Sequence, residues 1–267
     1  MIESNPRVSA FVPAYNAARW IGRAIESLLT QTYRDIEIIL VDDGSADGTA
    51  GIMYAAAACD ERVRVAVREH QGTSAASNHA VGMARGEYIA RLDADDIALP
   101  DRLARQVAWL DEHPTVAVLG GAMMLIDAGE LKQRVLRYVT APAEVAKAVL
   151  SYSPIAHPTA MMRRSIFQDV GGYRSSFDSA EDYDLWLRVS ERADLANLAE
   201  VLVYYRGHPD QVSARFGRRQ GGLAGLALAV AAMRRRGEPD PIRDGFIATT
   251  DSVSRLGLDP ATANAIV

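Results

Sequence analysis

Residues 36–49 read IEIILVDDGSADGT, and residues 84–103 read ARGEYIARLDADDIALPDRL. In each, a short apolar run stops abruptly at acid. Residues 36–41 end at Asp42-Asp43-Gly44-Ser45, and residues 88–92 end at Asp93-Ala94-Asp95-Asp96. The first run shows no polar alternation, the pattern of a strand covered on both faces. Residues 9–12 and 63–67 read as two further strands. Asn16 is placed to cap a helix whose Trp20, Ile21, Ala24, Ile25, Leu28 and Leu29 form one apolar stripe. Asp47 or Thr49 caps an alanine-rich helix that runs to about residue 60, and another helix covers about 73–84. Strands that alternate with helices in this way predict βαβ units and a mainly parallel α/β sheet flanked by helices.

Working outward, Pro100 suits the first position of a helix over 100–112. Beyond it the pattern turns irregular. Residues 116–119, 122–126, 159–162 and 201–205 read as strands, 143–150 and 181–193 as helices, and 219–236 and about 241–255 as a helical tail. The second half is thus α+β in style.

The 267 residues are 49% hydrophobic and 24% charged, which fits a chain with a substantial core and no disordered or fibrous majority. A net charge of -5 argues against general affinity for nucleic acid, although nearly all of the basic residues are arginine, only Lys132 and Lys147 being lysine. One cysteine, Cys59, excludes an intramolecular disulfide framework and a multi-cysteine zinc site. The start, MIESNPRVSA, does not read as a secretory signal, and the nearly apolar stretch 221–233 is too short to span a bilayer. A soluble, cytoplasmic protein is expected.

In open α/β sheets, ligands bind at the carboxyl ends of the parallel strands. Pro13-Ala14-Tyr15, Asp42-Asp43 and Asp93-x-Asp95 all fall there. Asp42-Asp43-Gly44-Ser45 reads equally well as an ordinary turn. Asp93 and Asp95, two apart, point to one side if the chain stays extended, and such a pair repels unless a cation lies between its members. Mg or Mn, with oxygen ligands and a substrate phosphate, suits it. Asp96 then points elsewhere and can cap the next helix. Glu181-Asp182 opens a helix anchored by Leu185 and Trp186. Dipole complementarity is the plainer reading of those acids, and a general base the sharper one. No G-x-G-x-x-G follows a strand, and neither G-x-x-x-x-G-K-[ST] nor H-E-x-x-H occurs, so dinucleotide, P-loop and zincin chemistries lose their motifs. His157 and His208 sit at strand borders. His70, His79 and His113 read as structural.

VSAFVPAYN (8–16), RAIESLLTQTYRDIEIILVDDGSADGT (23–49), ARGEYIARLDADDIALPDRL (84–103), GGYR (171–174) and EDYDLWLR (181–188) together resemble the inverting family 2 glycosyltransferases of the GT-A fold, over about residues 7–213. The resemblance implies a Rossmann-like sheet with a helical C-terminal tail: a transferase domain over 1–215, divided into a nucleotide-binding half (1–97) and an acceptor-binding half (98–215), then a tail over 216–267. It implies that Tyr15 stacks on the nucleotide base, with Pro13 shaping that turn, and that Asp43 hydrogen-bonds the base. Asp93 would lie near the ribose, Asp95 would bind Mn or Mg, Asp182 would be the catalytic base, and His208 matches a metal ligand of some relatives. Many relatives carry Arg where Ser77 stands before Asn78, so Arg91, Arg164 and Arg206 become candidates for the missing basic contact.

The expected partners are a nucleotide sugar donor, UDP-linked, and a saccharide or lipid-linked hydroxyl acceptor. The arginine-flanked stretch 221–233 reads first as a helix packed on the core or on a second subunit in a homodimer. Its other reading is an interfacial helix at the inner face of the membrane. A sugar nucleotidyltransferase would show a Gly-rich basic loop after the first strand, which Pro13-Ala14-Tyr15-Asn16 is not. A catalytically silent nucleotide-sugar-binding protein would not need both acidic pairs.

Overall fold

The computed structural model describes residues 5–209, 211–242, 253–254 and 256–257. The elements are β1 (Val8–Ala14), α1 (Ile21–Leu29), β2 (Ile36–Asp42), α2 (Thr49–Cys59), β3 (Val63–Val67), α3 (Thr73–Met83), β4 (Tyr88–Arg91), β5 (Ile97–Ala98), α4 (Arg102–Glu112), β6 (Val116–Ile126), β7 (Lys132–Leu136), α5 (Pro142–Ala148), β8 (Met161–Arg163), α6 (Arg164–Asp169), α7 (Glu181–Ser190), β9 (Asp194–Arg206) and α8 (Val212–Arg235). They build one sheet in the order β3-β2-β1-β4-β8-β6-β9-β5, with β7 paired to β6. The first four strands in that order are all parallel. Past β4 the sheet is mixed: β8 is antiparallel to β4 and β6, β9 runs parallel to β6, and β5 is antiparallel to β9. The α/β class expected from the strand and helix alternation therefore holds.

Every residue of β1 and β2 is buried, as continuous apolar runs require. Their side chains divide by parity. Phe11, Ile39 and Val41 pack with α3, α7 and α8 on one face. Val8, Ala10, Val12, Ile38 and Leu40 pack with α1, Met53 and α4 on the other. The carboxyl ends of β1, β2 and β4 consequently open at one rim, with the acidic turns above them.

Several local expectations are corrected. Asn16 does not cap α1. It adopts a left-handed φ of 49°, and its Oδ1 accepts the Ala46 N–H at 2.9 Å, so it ties two loops together. Pro100 precedes α4 by two residues. The two strands expected over 116–126 are one, β6, because glycine at 120 and 121 admits Asn197 and Leu202 where side chains would collide. Residues 157–159 form a 3₁₀ turn before β8, and β9 begins seven residues earlier than expected. The helix expected over about 241–255 lies largely outside the described residues.

Helix α8 places Leu223, Leu226, Ala227, Val230 and Ala231 in the core beside α7. Packing on the core is thus what occupies these five residues of α8. Among the described residues no helix is long and apolar enough to cross a membrane.

Glu37, on β2, is 2% exposed. Its carboxylate accepts Ser9 Oγ at 2.7 Å, the Arg85 N–H at 2.8 Å, Arg64 Nη1 at 2.7 Å and Arg85 Nε at 3.1 Å. Burial pushes its carboxyl up, and these donors more than offset that, holding it below the ordinary glutamate range. A depressed carboxyl contributes stability above its unfolded pKa, and that stability is lost as pH falls through the folded value. Glu37→Gln should therefore cost about 2–3 kcal/mol in urea unfolding near pH 7. The gap between the two proteins should close on acidification, whereas a gap independent of pH would show that the ionised form contributes nothing.

Candidate active site

The rim is organised by backbone donors. Asp42 turns the chain by accepting the Ser45 N–H and hydroxyl, and Gly44, at φ 80°, sits where a side chain would strike the His70 backbone. Asn16 N–H donates to Ser45 Oγ, Ala17 N–H to Thr49 Oγ1 and Ala18 N–H to Asp47 Oδ2, so the β1 loop is fastened along the β2 loop. Asp43 is buried beneath them. Its carboxylate accepts the Gly72 N–H at 2.8 Å and the Gln71 N–H at 3.2 Å, and faces His70 Nδ1 at 2.9 Å. Pro13 is buried in β1, while Tyr15, 50% exposed, stacks on the His70 ring at 4.1 Å. The structure thus brings Tyr15 and Asp43 together through His70, a residue read from sequence as merely structural. The available signal was position: His70 follows β3 at the same rim as the motifs after β1, β2 and β4.

The acidic turn after β4 is not extended. The Asp96 N–H donates to the Asp93 carbonyl, closing a turn, so Asp93 and Asp95 are not held in strand alternation. Asp93 Oδ1 accepts Arg91 Nε at 2.8 Å. Asp95 Oδ2 lies 2.9 Å from His208 Nε2, which joins a strand-end acid to the histidine beyond β9. Burial and then the Asp93 charge push the Asp95 carboxyl up, while His208 pulls it back in part. Asp96 does not cap a helix: its Oδ1 accepts the Arg206 N–H at 2.9 Å, and burial followed by its two neighbouring acids drives its carboxyl well above the usual range.

Opposite this turn stands the first turn of α7. Glu181 reaches back to accept the Ser179 N–H at 2.8 Å, and burial followed by the neighbouring Asp182 pushes its carboxyl up to about 8. Burial likewise pushes Asp182 up to about 6, with Arg91 opposing the rise and Asp93 adding to it. Of the two, Asp182 is shifted less, so it is the first of the pair to give up its proton as pH rises. Leu185 and Trp186 are fully buried, and Asp184 is clamped between Arg174 and Arg188, so the acidic turn sits on a rigid helix. His157, buried and neutral because burial and then Arg91 push its pKa well down, lies with Nε2 2.8 Å from the Tyr173 hydroxyl and Nδ1 3.8 Å from Glu181.

The three arginine candidates separate. Arg164 donates to the Gly86 carbonyl at the opposite rim, beside a cavity of about 420 Å³ lined by Arg7, Asp35 and Glu87. Arg206 is 1% exposed, bound to the Asp95 carbonyl and to Glu130 with its guanidinium over Trp20. Arg91 alone lies among the carboxylates, and it bonds Ser77 directly.

Among the described residues no group of three or more acids, histidines or cysteines encloses a metal position. Asp95 and His208 form a two-residue donor set, and among the described residues the buried His208 Nδ1 has no hydrogen-bond partner. Such a set fits a divalent cation that draws its remaining ligands from phosphate oxygens and water.

These motifs have counterparts in known proteins. EpsE of Bacillus subtilis (strain 168) is 38% identical over 220 residues, 80% of this chain and 78% of that protein. The Staphylococcus aureus TarS 1–349 structure in complex with UDP-GlcNAc superposes with a TM-score of 0.70 at 19% identity, over 94% of this chain and 70% of that one. The chain spans 42% of the longer TarS crystal structure. The Pyrobaculum calidifontis mannosyltransferase PcManGT, in complex with GDP-Man and Mn2+, superposes with a TM-score of 0.65 at 21% identity, over 98% of this chain and 74% of that one. At these identities the structures show a shared GT-A architecture. Residues 9–171, which carry the rim loops, the acidic turn and β8, match the Glycosyl transferase family 2 description, and the chain belongs to that family.

Proposed function

We propose that this transferase moves a hexosyl or N-acetylhexosaminyl group from a nucleoside diphosphate sugar, UDP-linked, to a hydroxyl of a saccharide or lipid-linked acceptor, with inversion, in the synthesis of a cell-surface polysaccharide or glycan. The observation that carries the reading is Asp182: a carboxylate on a rigid helix, ionised at neutral pH yet raised to about 6, facing the acidic turn at the strand ends. The UDP-GlcNAc and GDP-Man complexes of the two structural neighbours support a nucleotide sugar as donor.

Tyr15 offers one ring face to a base while His70 covers the other, and Pro13 holds the turn beneath it. The Asp43 carboxylate accepts two backbone N–H groups, which leaves acceptor capacity that a base N–H would use. Asp93, bonded to Arg91 and acting on Asp182, is the acid that would meet a ribose. Asp95 and His208 would hold Mg or Mn, which when bound neutralises charge on a departing diphosphate. Asp182 accepts the proton of the acceptor hydroxyl as its oxygen bonds to the anomeric carbon. The bond from that carbon to the diphosphate oxygen breaks with its electron pair leaving on the diphosphate. Attack from the face opposite the leaving group turns an α-linked donor into a β-linked product.

Asp182→Asn should lower turnover by about a hundredfold or more while leaving UDP affinity by calorimetry near wild type. Undiminished turnover would remove the base. Because the base works ionised, wild-type kcat should rise with pH through about 6 and flatten above it, and a flat profile from pH 5 to 7.5 would place the titrating group elsewhere. In thermal shift with UDP-GlcNAc, the added stabilisation given by Mn should disappear in Asp95→Ala, since binding to the folded state is what raises the midpoint. A Mn increment that persists in the variant would put the cation on other residues.

A further inference from the structure

Arg91 ends β4, where the strand runs into the acidic turn, and only 6% of it is exposed. Its Nε donates to Asp93 Oδ1 at 2.8 Å, its Nη1 to Ser77 Oγ at 2.8 Å and its Nη2 to Thr73 Oγ1 at 3.4 Å. Its backbone is equally committed: the N–H donates to the Ala160 carbonyl, and the carbonyl accepts Arg102 Nη2 at 2.7 Å. Ser77 and Thr73 belong to α3, the helix whose Asn78 exchanges two hydrogen bonds with the Tyr173 backbone, at 2.8 and 2.9 Å. The Tyr173 hydroxyl meets His157, and His157 faces Glu181. A chain of contacts therefore links the guanidinium, through α3, Tyr173 and His157, to Glu181 at the start of α7.

We propose that Arg91 is the positioning residue of this site, a buried guanidinium fixed on both backbone and side chain that serves as the shared counter-ion of Asp93, Glu181 and Asp182. The inference rests on the reading of Asp182 as the base. The groups facing Asp182 are Glu181 on its own helix, Arg91 and Asp93 from the end of β4, Tyr138 after β7 and Tyr173 before α7. Burial holds both tyrosines neutral, and His157 is neutral as well. Arg102 is the second buried cation nearby, but its donors go to Gln106 and to backbone carbonyls, and burial pushes it down to about 9. Arg91 is thus the cation that opposes the rise in both acids of α7.

The test is a carbon-13 NMR titration of the side-chain carboxyls in the full chain, with signals assigned through Asp182→Asn and Glu181→Gln. In Arg91→Gln and Arg91→Met the midpoints of the pair should move up by about one pH unit or more, and in Arg91→Lys by less than about half of that. The acid limb of kcat should move upward with them, with lysine returning it at least about halfway toward the wild-type profile. Folded neutral variants with wild-type midpoints would overturn the proposal. Should both fail to fold, Ser77→Ala decides alone, because releasing one anchor should move the midpoints in the same direction by a smaller amount, and unchanged midpoints there would overturn it too. The titration needs no donor and no turnover. If Asp182→Asn kept wild-type turnover while the midpoints moved, the base assignment would fall and the counter-ion role would stand.

Discussion

Carboxylates crowded in one crevice repel, and the rim of this sheet forms only because buried cations and backbone N–H groups meet that repulsion. Asp93, Asp95 and Asp96 leave β4 in a single turn, and Glu181 and Asp182 face them from α7. Left unpartnered, each would favour its protonated form or the unfolding of the turn. Arg206 secures one side from β9, through its backbone to Asp96 and its guanidinium to the Asp95 carbonyl. Arg91 secures the other. What stays uncompensated is limited and specific: burial and neighbouring acids push the Asp96 and Glu181 carboxyls up, and burial pushes Asp182 up to about 6. A carboxyl poised in that way is not produced by burial alone, which would protonate it, nor by a direct ion pair, which would leave it a weaker proton acceptor.

The same economy of donors shapes the other end of the crevice. Asp43 consumes the backbone N–H groups of residues 71 and 72 and so fixes the loop that carries His70 against Tyr15. Asp178, from the segment before α7, accepts the Ser74 N–H at the start of α3, which covers that helix terminus with a carboxylate from the second half of the chain. Asp43 in turn acts on Asp178, and Asp178 on Glu181, so the Tyr15–His70 and acid-pair regions are linked electrostatically despite their distance in sequence.

How far the sequence discloses this follows the range of the forces involved. β1 to β4 are legible because their signal is local: continuous apolar runs, each ended by turn residues. The placement of Asp182 at a helix start was legible for the same reason, since Leu185 and Trp186 carry a helical spacing. The error over Asn16 came from reading a cap where a loop-to-loop bond was made instead. The same-side reading of Asp93 and Asp95 holds only for an extended chain, and the condition fails because the turn is fastened by Arg206, more than a hundred residues away. β9 was shortened because Asn197 and Glu200 break its apolar pattern. What keeps those residues in a strand is parallel pairing to β6, which no local pattern announces. His70 and Arg91 were legible in position but not in role, because a side chain's charge partners are set by tertiary contact.

The composition then acquires a physical reason. Arginine so far outnumbers lysine that the net charge of -5 suggests a solvated, evenly charged surface, yet many of the guanidinium groups are structural. Arg174 and Arg188 flank Asp184, Arg174 continues to Asp240, and Arg234 on α8 binds both Asp240 and Glu191. A planar fork can bridge two acceptors in fixed directions, which a lysine ammonium on a flexible stem does poorly. This network, with the apolar packing of α8 on α7, sets the direction in which α7 points its first turn at the strand ends. By holding α7, the helix that follows the transferase motifs also holds the position of Asp182.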